Sequence, residues 1–296
     1  EVKSPSYRVG FSIRSVKGPS ATTEDAVTYA RTLKMYYLND PKPTEYIDPI
    51  NMRVATLPFY DERYFEDLYA IISVEETNPR DKVMMGMLAS LGIEKGKPYK
   101  PDAKTKQAMR AAAVDAYFYL MQRFLHPADP QKVWWKGQHW YDGLFSDANR
   151  EFRFENANMI ELDNRADRYF PSTYFPRKVP KLPATQYLFA LADKDGKELQ
   201  AGKTYKLVMP ARVPVKQFWS LIVYDLETFA FIYSPEQRPG LSSFDLENMK
   251  RNADGSTTLY FGPTAPPGLE SNWIPAAGKR ALPTVRIYGG AGEFWG

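Results

Sequence analysis

Arg286 and Tyr288 alternate with Val285 and Ile287 in "TVRIYG". A strand there turns a guanidinium and a phenol to one side and two aliphatic groups to the other. "TTLYFG" repeats the pattern, with Thr258 and Tyr260 opposed to Thr257, Leu259 and Phe261, and "QFWSLIVYD" splits Trp219, Leu221 and Val223 from Phe218, Ile222 and Tyr224. Between the first two stretches, a proline-rich loop carries Asn272 beside Trp273. A concave face collecting Tyr260, Asn272, Trp273, Arg286 and Tyr288 would suit a small polar, anionic or carbohydrate ligand, with Arg286 orienting the anionic group. Structural roles compete for the same residues. Trp273 can plug a corner of the domain while Asn272 bonds the backbone of its own loop, and Arg286 can pair with a nearby carboxylate on the sheet face.

Other reactive groups are few. The chain has no cysteine, which removes disulfides, thiolate nucleophiles and thiolate metal sites. Its two histidines, His126 and His139, share no element at metal-ligand spacing, so no metal site and no cofactor are expected. A Ser-His-acid triad would need one of them, and no Gly-x-Ser-x-Gly elbow presents a serine. His139, among the aromatics of "KGQHWYDG", is a candidate general base. Asp142, Asp147, Glu161 and Asp163 are carboxylate candidates for acid-base work, Asp163 foremost. Solvated loop charge accounts for the same residues, with Arg165 and Arg168 pairing locally to Asp163 and Asp167 in "DNRADR".

These groups need a frame. With 296 residues, 44% hydrophobic and 25% charged, the chain can bury a core as one large or two ordinary domains. The high aromatic fraction and 24 prolines favour short strands and ordered loops. No segment is apolar enough to span a membrane, and the polar start "EVKSPSYRVG" lacks a signal-peptide core. A net charge of +4 without a basic run argues against nucleic acid as a partner.

Helical spacing is expected in four stretches. These are "TTEDAVTYARTLKMYYL" with Thr23 as cap, "DERYFEDLYAIISVEE" with Asp61 as cap, "RDKVMMGMLASLGI" ending on a glycine, and residues 101–125 with Asp102 as cap. In the last, Met109, Ala112, Ala116, Leu120 and Phe124 share the expected buried face. "ELDNRADRYF" starts a short helix. From residue 184 onward, "TQYLFALAD", "KTYKLVMP", "QFWSLIVYD", "TFAFIYS", "TTLYFG" and "TVRIYG" read as strands separated by turns, with Asp254-Gly255 as a hairpin signal. The fold class is therefore α+β, a helical segment followed by an antiparallel, jelly-roll-like β-sandwich. The expected divisions are residues 1–75, a remnant or end of a β-containing module, then 76–130, a helical linker. Residues 131–183 are an aromatic-rich connection and 184–296 the sandwich.

Two blocks carry a resemblance. "FWSLIVYD", "NADGSTTLYFGPTAPPGLESNWIP" and "VRIYGG" occur in the order typical of the C-terminal module of bacterial proteins known by their domains of unknown function 1254 and 1214. "RTLKMYYL", "YFEDLYAII" and "LGIEKGKPYKPD" resemble the end of the first module and the helical linker behind it. The resemblance covers roughly residues 25–126 and 160–290. It implies an all-β first domain, a helical linker and an all-β second domain, in proteins often exported, which tilts the compartment toward the periplasm. Much of the first module has no counterpart before Glu1, so a fragment, a processed product or a shortened relative is expected, with open strand edges that need covering.

Two functional readings stand side by side. One is a hydrolase or ligand-binding protein using the polar-aromatic face of the sandwich. The other is a non-catalytic interaction or structural module, forming a homo-oligomer or pairing with a missing N-terminal portion through aromatic surfaces and strand edges.

Overall fold

Leu221, Val223, Val285 and Ile287 alternate with more polar neighbours, and that period of two drives their strands to stack with one side inward. The computed structural model describes residues 4, 6–9, 13, 21–43, 45–47, 52, 57–127, 133–143, 153–170 and 185–294. Asp147 lies outside them. The chain is an α+β protein that divides into two compact units, Glu1–Ala55 with Phe59–Ala111, and Thr56–Pro58 with Ala112–Gly296.

The first unit is helical among its described residues. It holds α1 (Thr23–Thr32), α2 (Glu62–Ile72), α3 (Lys82–Ala89) and the start of α4 (Ala103–Leu125). Thr22, one residue before the expected cap, starts α1 through a capping box with Asp25. Asp61 caps α2 by accepting from the Arg63 amide at 2.9 Å, and Asp102 accepts from Thr105 at 2.7 Å at the start of α4. Gly92, left-handed at φ 79°, ends the turn after α3. Ile93 and Met109 are the buried apolar side chains described here. Polar ties add to them: Glu62 takes a bidentate bond from Arg110, 2.7 Å on the Nε side, and Tyr69 stacks on Tyr99 at 5.2 Å.

The second unit carries two sheets. The larger has the order β1-β2-β8-β4-β5, with β1 Trp140–Asp142, β2 Thr185–Ala190, β4 Val215–Asp225, β5 Gly240–Ser242 and β8 Ala281–Gly290, all antiparallel. The smaller is β3-β6-β7, with β3 Tyr205–Met209, β6 Thr257–Gly262 and β7 Trp273–Pro275. Leu188, Trp219, Leu221, Val223, Val285 and Ile287 of the larger sheet meet Met209, Leu259, Phe261 and Ile274 of the smaller in one core. On the larger unit's flank, α4 and α5 (Leu162–Tyr169) bring Phe124 and Phe170 against Phe229, with ring centroids 5.0 and 5.4 Å from it.

Four details depart from expectation. β6 and β7 run parallel, so the smaller sheet is mixed rather than antiparallel. Asp254-Gly255 makes a tight turn, but β6 pairs with β3 and β7, so no hairpin forms across it. "TFAFIYS" forms only a bridge from Phe231 to Tyr224. Asp225 accepts from Glu227 and Thr228, winding the chain into a turn that leaves Phe229 left-handed. On α4 the buried positions are Met109, Ala113 and Phe124, whereas Ala112 and Ala116 are exposed, a face rotated by about one residue.

Leu221 is fully buried at the centre of the core, so Leu221→Ala should lower unfolding free energy by about 3 kcal/mol in urea titration, whereas Ile222→Ala on the opposite face costs less. The Arg63 guanidinium holds the Asp61 carboxyl at about 2, and Arg110 holds Glu62 at about 2. Both lie below the unfolded value near 4. Their contribution is thus complete above about pH 4 and lost as pH falls toward 2. The Arg63 amide should report that low midpoint in an NMR titration, and a midpoint near 4 would show that the cap does not form.

Candidate functional site

On the outer face of the larger sheet, register sets Arg286 of β8 between Tyr187 of β2 and Ser220 of β4. Tyr288 pairs with Phe218, and their rings stack at 4.2 Å. Tyr224 lies farther along β4 and accepts a hydrogen bond from Arg286 Nη2. The guanidinium carbon sits 4.9 Å from the Tyr187 ring centroid and 5.7 Å from that of Tyr224, so the cation rests between two π faces. Burial pushes the Tyr224 phenol above its ordinary pKa, with the arginine pulling the other way. Arg286 Nε is buried and has no hydrogen-bond partner, and among the described residues no carboxylate pairs with the guanidinium. The aromatic shelf continues to Phe244, 5.0 Å from Phe218, and to Phe231, stacked on Tyr224 at 5.2 Å.

A contrasting arginine shows how this fold neutralises a cation. Arg123 of α4 donates from Nε and Nη2 to the two oxygens of Asp167 at 2.7 and 2.9 Å, and from Nη1 to Asp163 at 3.2 Å. Asp163 also accepts from the Tyr119 hydroxyl at 2.9 Å. The acidic residues of α5 therefore reach a different helix, where local pairing had been expected. Arg165 donates to the Arg153 carbonyl instead. Asp142 accepts from Gln186 at 2.6 Å, and Glu161 accepts from Asn156 and Asn164.

Tyr260, Asn272 and Trp273 belong to the smaller sheet and its approach, and strand alternation keeps Tyr260 and Trp273 away from Arg286 and Tyr288. Asn272, 1% exposed, donates to the Lys250 and Thr258 carbonyls at 2.8 and 2.9 Å and accepts from the Lys250 amide at 2.8 Å. It staples an incoming loop to β6. Trp273 starts β7 rather than lying in a loop. Its indole N–H reaches the Gly262 carbonyl at 3.1 Å, and Arg238 covers its ring at 5.8 Å. The five residues thus do not share one surface: Arg286 and Tyr288 share a face of the larger sheet, Asn272 and Trp273 hold the frame, and Tyr260 lies on the smaller sheet.

Both histidines line one small cleft of about 180 Å³ with Tyr141 and the sequence-distant Glu198. His126 Nε2 lies 3.3 Å from Glu198 Oε1, and Arg280 holds the other oxygen at 3.0 Å. His139 packs near Gly196, whose φ of 76° favours a residue without a side chain. No cluster of His, Asp and Glu able to hold a metal ion occurs among the described residues. Tyr187, Tyr224 and Glu198 escaped sequence reasoning because each joins its site through register or long-range packing. Only the alternation of Tyr224 with Val223 was a usable signal.

Residues 184–291 match the family model described as "Protein of unknown function (DUF1214)". No curated protein sequence matches the chain. Among solved structures, the VPA0106 protein from Vibrio parahaemolyticus is similar at 16% identity and a TM-score of 0.42, over 87% of this chain and 56% of that one. An uncharacterized protein from Burkholderia cenocepacia is similar at 20% identity and a TM-score of 0.28, over 39% of this chain and 29% of that one. This chain thus spans little more than half the length of the Vibrio protein's chain.

Asn272→Ala would leave two part-buried carbonyls and an amide without this partner. The expected loss is roughly 2–4 kcal/mol of unfolding free energy. A stability within 0.5 kcal/mol of the parent, at about the level of an ordinary surface change, would return Asn272 to the ligand-binding candidates.

Proposed function

We propose that the DUF1214 module is a binding module for a small ligand with an anionic or strongly polar group, anchored by Arg286 on the outer face of the larger sheet. One observation carries this reading: a partly buried guanidinium with an unpartnered Nε and no paired carboxylate among the described residues. A desolvated cation is costly unless something compensates it, and Arg123 receives two carboxylates in the same unit. An external anion would compensate the charge at Arg286 from the side of Nη1, the guanidinium nitrogen that is neither bonded to Tyr224 nor buried like Nε, in the plane that suits carboxylate and phosphate. Tyr187 and Tyr224 fix the guanidinium plane, while Phe218 and Tyr288 offer a flat apolar shelf beside it. A hydrolytic role would draw on the acid-base groups elsewhere in the unit, His139 and Asp163 among them. The likeness of residues 25–126 to the end of a domain of unknown function 1254 and its linker belongs to the same proposal, as does a periplasmic setting.

A second reading has its own support. Phe231, Tyr233 and Phe244 are 58%, 87% and 74% exposed, a concentration of bare aromatic rings that a second copy of the chain would cover.

The two are separable. Benzoate and phenyl phosphate should raise the melting temperature of the parent and leave Arg286→Ala unshifted from its own ligand-free value, which lies below the parent's because the contacts to Tyr187 and Tyr224 are lost. Arg286→Lys should bind at least about tenfold more weakly, having lost the fork. Equal shifts in parent and Arg286→Ala would remove the proposal. Concentration-dependent sedimentation abolished by Phe244→Ser, with no anion effect, would establish the assembly reading instead.

A further inference from the structure

The side chains on either side of Arg286 along β8 point the other way, and there they line a second site. Val285 and Ile287 form the floor of a cleft of about 450 Å³ on the inner side of the larger sheet, with Met209 of β3 and Phe294 beside them. Its cause lies in the unequal sheets. Three strands face five, and β7 neighbours β5. Among the described residues the smaller sheet therefore ends at edge strand β3, and a cleft opens there near β8 and β1. Trp140 of β1 and Trp135 before it wall the far side, and Pro210 and Pro214 stiffen the connection that closes the near side.

We propose that this cleft binds a small, uncharged, largely apolar molecule carrying at most a single hydrogen-bonding group. Three observations specify that occupant. The volume falls within the range of small-molecule sites. The described lining contains no ionisable side chain, so a charged ligand would lose its hydration without a counter-charge. Gln138 supplies the lining's one side-chain amide, able to donate to or accept from a single polar group. The floor is built of buried core residues, and the mouth is open: Trp135 and Val208 at the rim are 43% and 51% exposed. Apolar surface of this kind gains contacts when filled. The site is distinct from the Arg286 face, since strand alternation sends neighbouring residues to opposite sides of the same sheet.

The test uses the full chain and N-phenyl-1-naphthylamine, an uncharged fluorescent probe, with its sulfonated relative 1-anilinonaphthalene-8-sulfonate as the charged comparator. The neutral dye should bind saturably at one per chain, with energy transfer from tryptophan, and more tightly than the sulfonate. Val208→Glu alters the exposed rim, and Trp135→Phe trims a rim ring while keeping an aromatic group for its edge contact with Phe294. Each should weaken binding about tenfold while far-UV circular dichroism and melting stay at the parent's values. Arg286→Ala should leave dye binding unchanged, so failure of the anion site and failure of this one read out separately. Unsaturable fluorescence, equal affinity for the two dyes, or affinity that survives both rim substitutions would overturn the proposal.

Discussion

Strand β8 sits in the middle of the larger sheet, paired on both sides, and its alternation couples everything else in the second unit. Val285 and Ile287 point inward to the shared core, while Arg286 and Tyr288 point outward to the aromatic shelf. A shift of one residue in this strand would exchange the two sets, burying a guanidinium among aliphatic side chains and baring the core. The hydrophobic face therefore pins the register, and the register delivers Arg286 between Tyr187 and Tyr224. The position of the cation follows from burial next door.

Electrostatics then separates two kinds of arginine. Arg123 is engaged by carboxylates on α5, an arrangement that joins helix to helix and leaves no spare valence for a ligand. Arg286 is held by π faces and a phenol, groups that orient a guanidinium without neutralising it. The first arrangement serves the frame, and the second is the feature on which the proposed anion site rests. On the inner side of the same strand, a cleft among the described residues opens beside edge strand β3 of the smaller sheet. One strand thus presents a cationic surface and an apolar cleft, divided by the thickness of a single sheet.

The readable features were those with a local physical cause. Asp61, Asp102 and Gly92 act where caps and stops require an acceptor or a left-handed residue, and β2, β3, β4, β6 and β8 arise from runs of β-branched and aromatic residues. β1, β5 and β7, of three residues each, exist only because longer strands offer them hydrogen bonds, and no local pattern announces them. The one-residue rotation of the buried face of α4 has the same origin, since alanine fits either a core or a surface and the neighbours decide.

From the residue order alone came the α+β class, the inward and outward sets along β4, β6 and β8, and the placement of Arg286 on the strand face opposite Val285 and Ile287. These depend on periodicity and intrinsic preference, which a single chain segment carries within itself. Tertiary structure decided which strands adjoin, and with that the partners of each side chain. It placed Tyr260 and Trp273 in the smaller sheet with Asn272 in the turn before β7, gave Arg286 two tyrosines and, among the described residues, no acid, and gathered His126, His139 and Glu198 around one cleft. Such assignments depend on pairing between segments tens of residues apart, where the energy resides in the contact and in neither segment by itself.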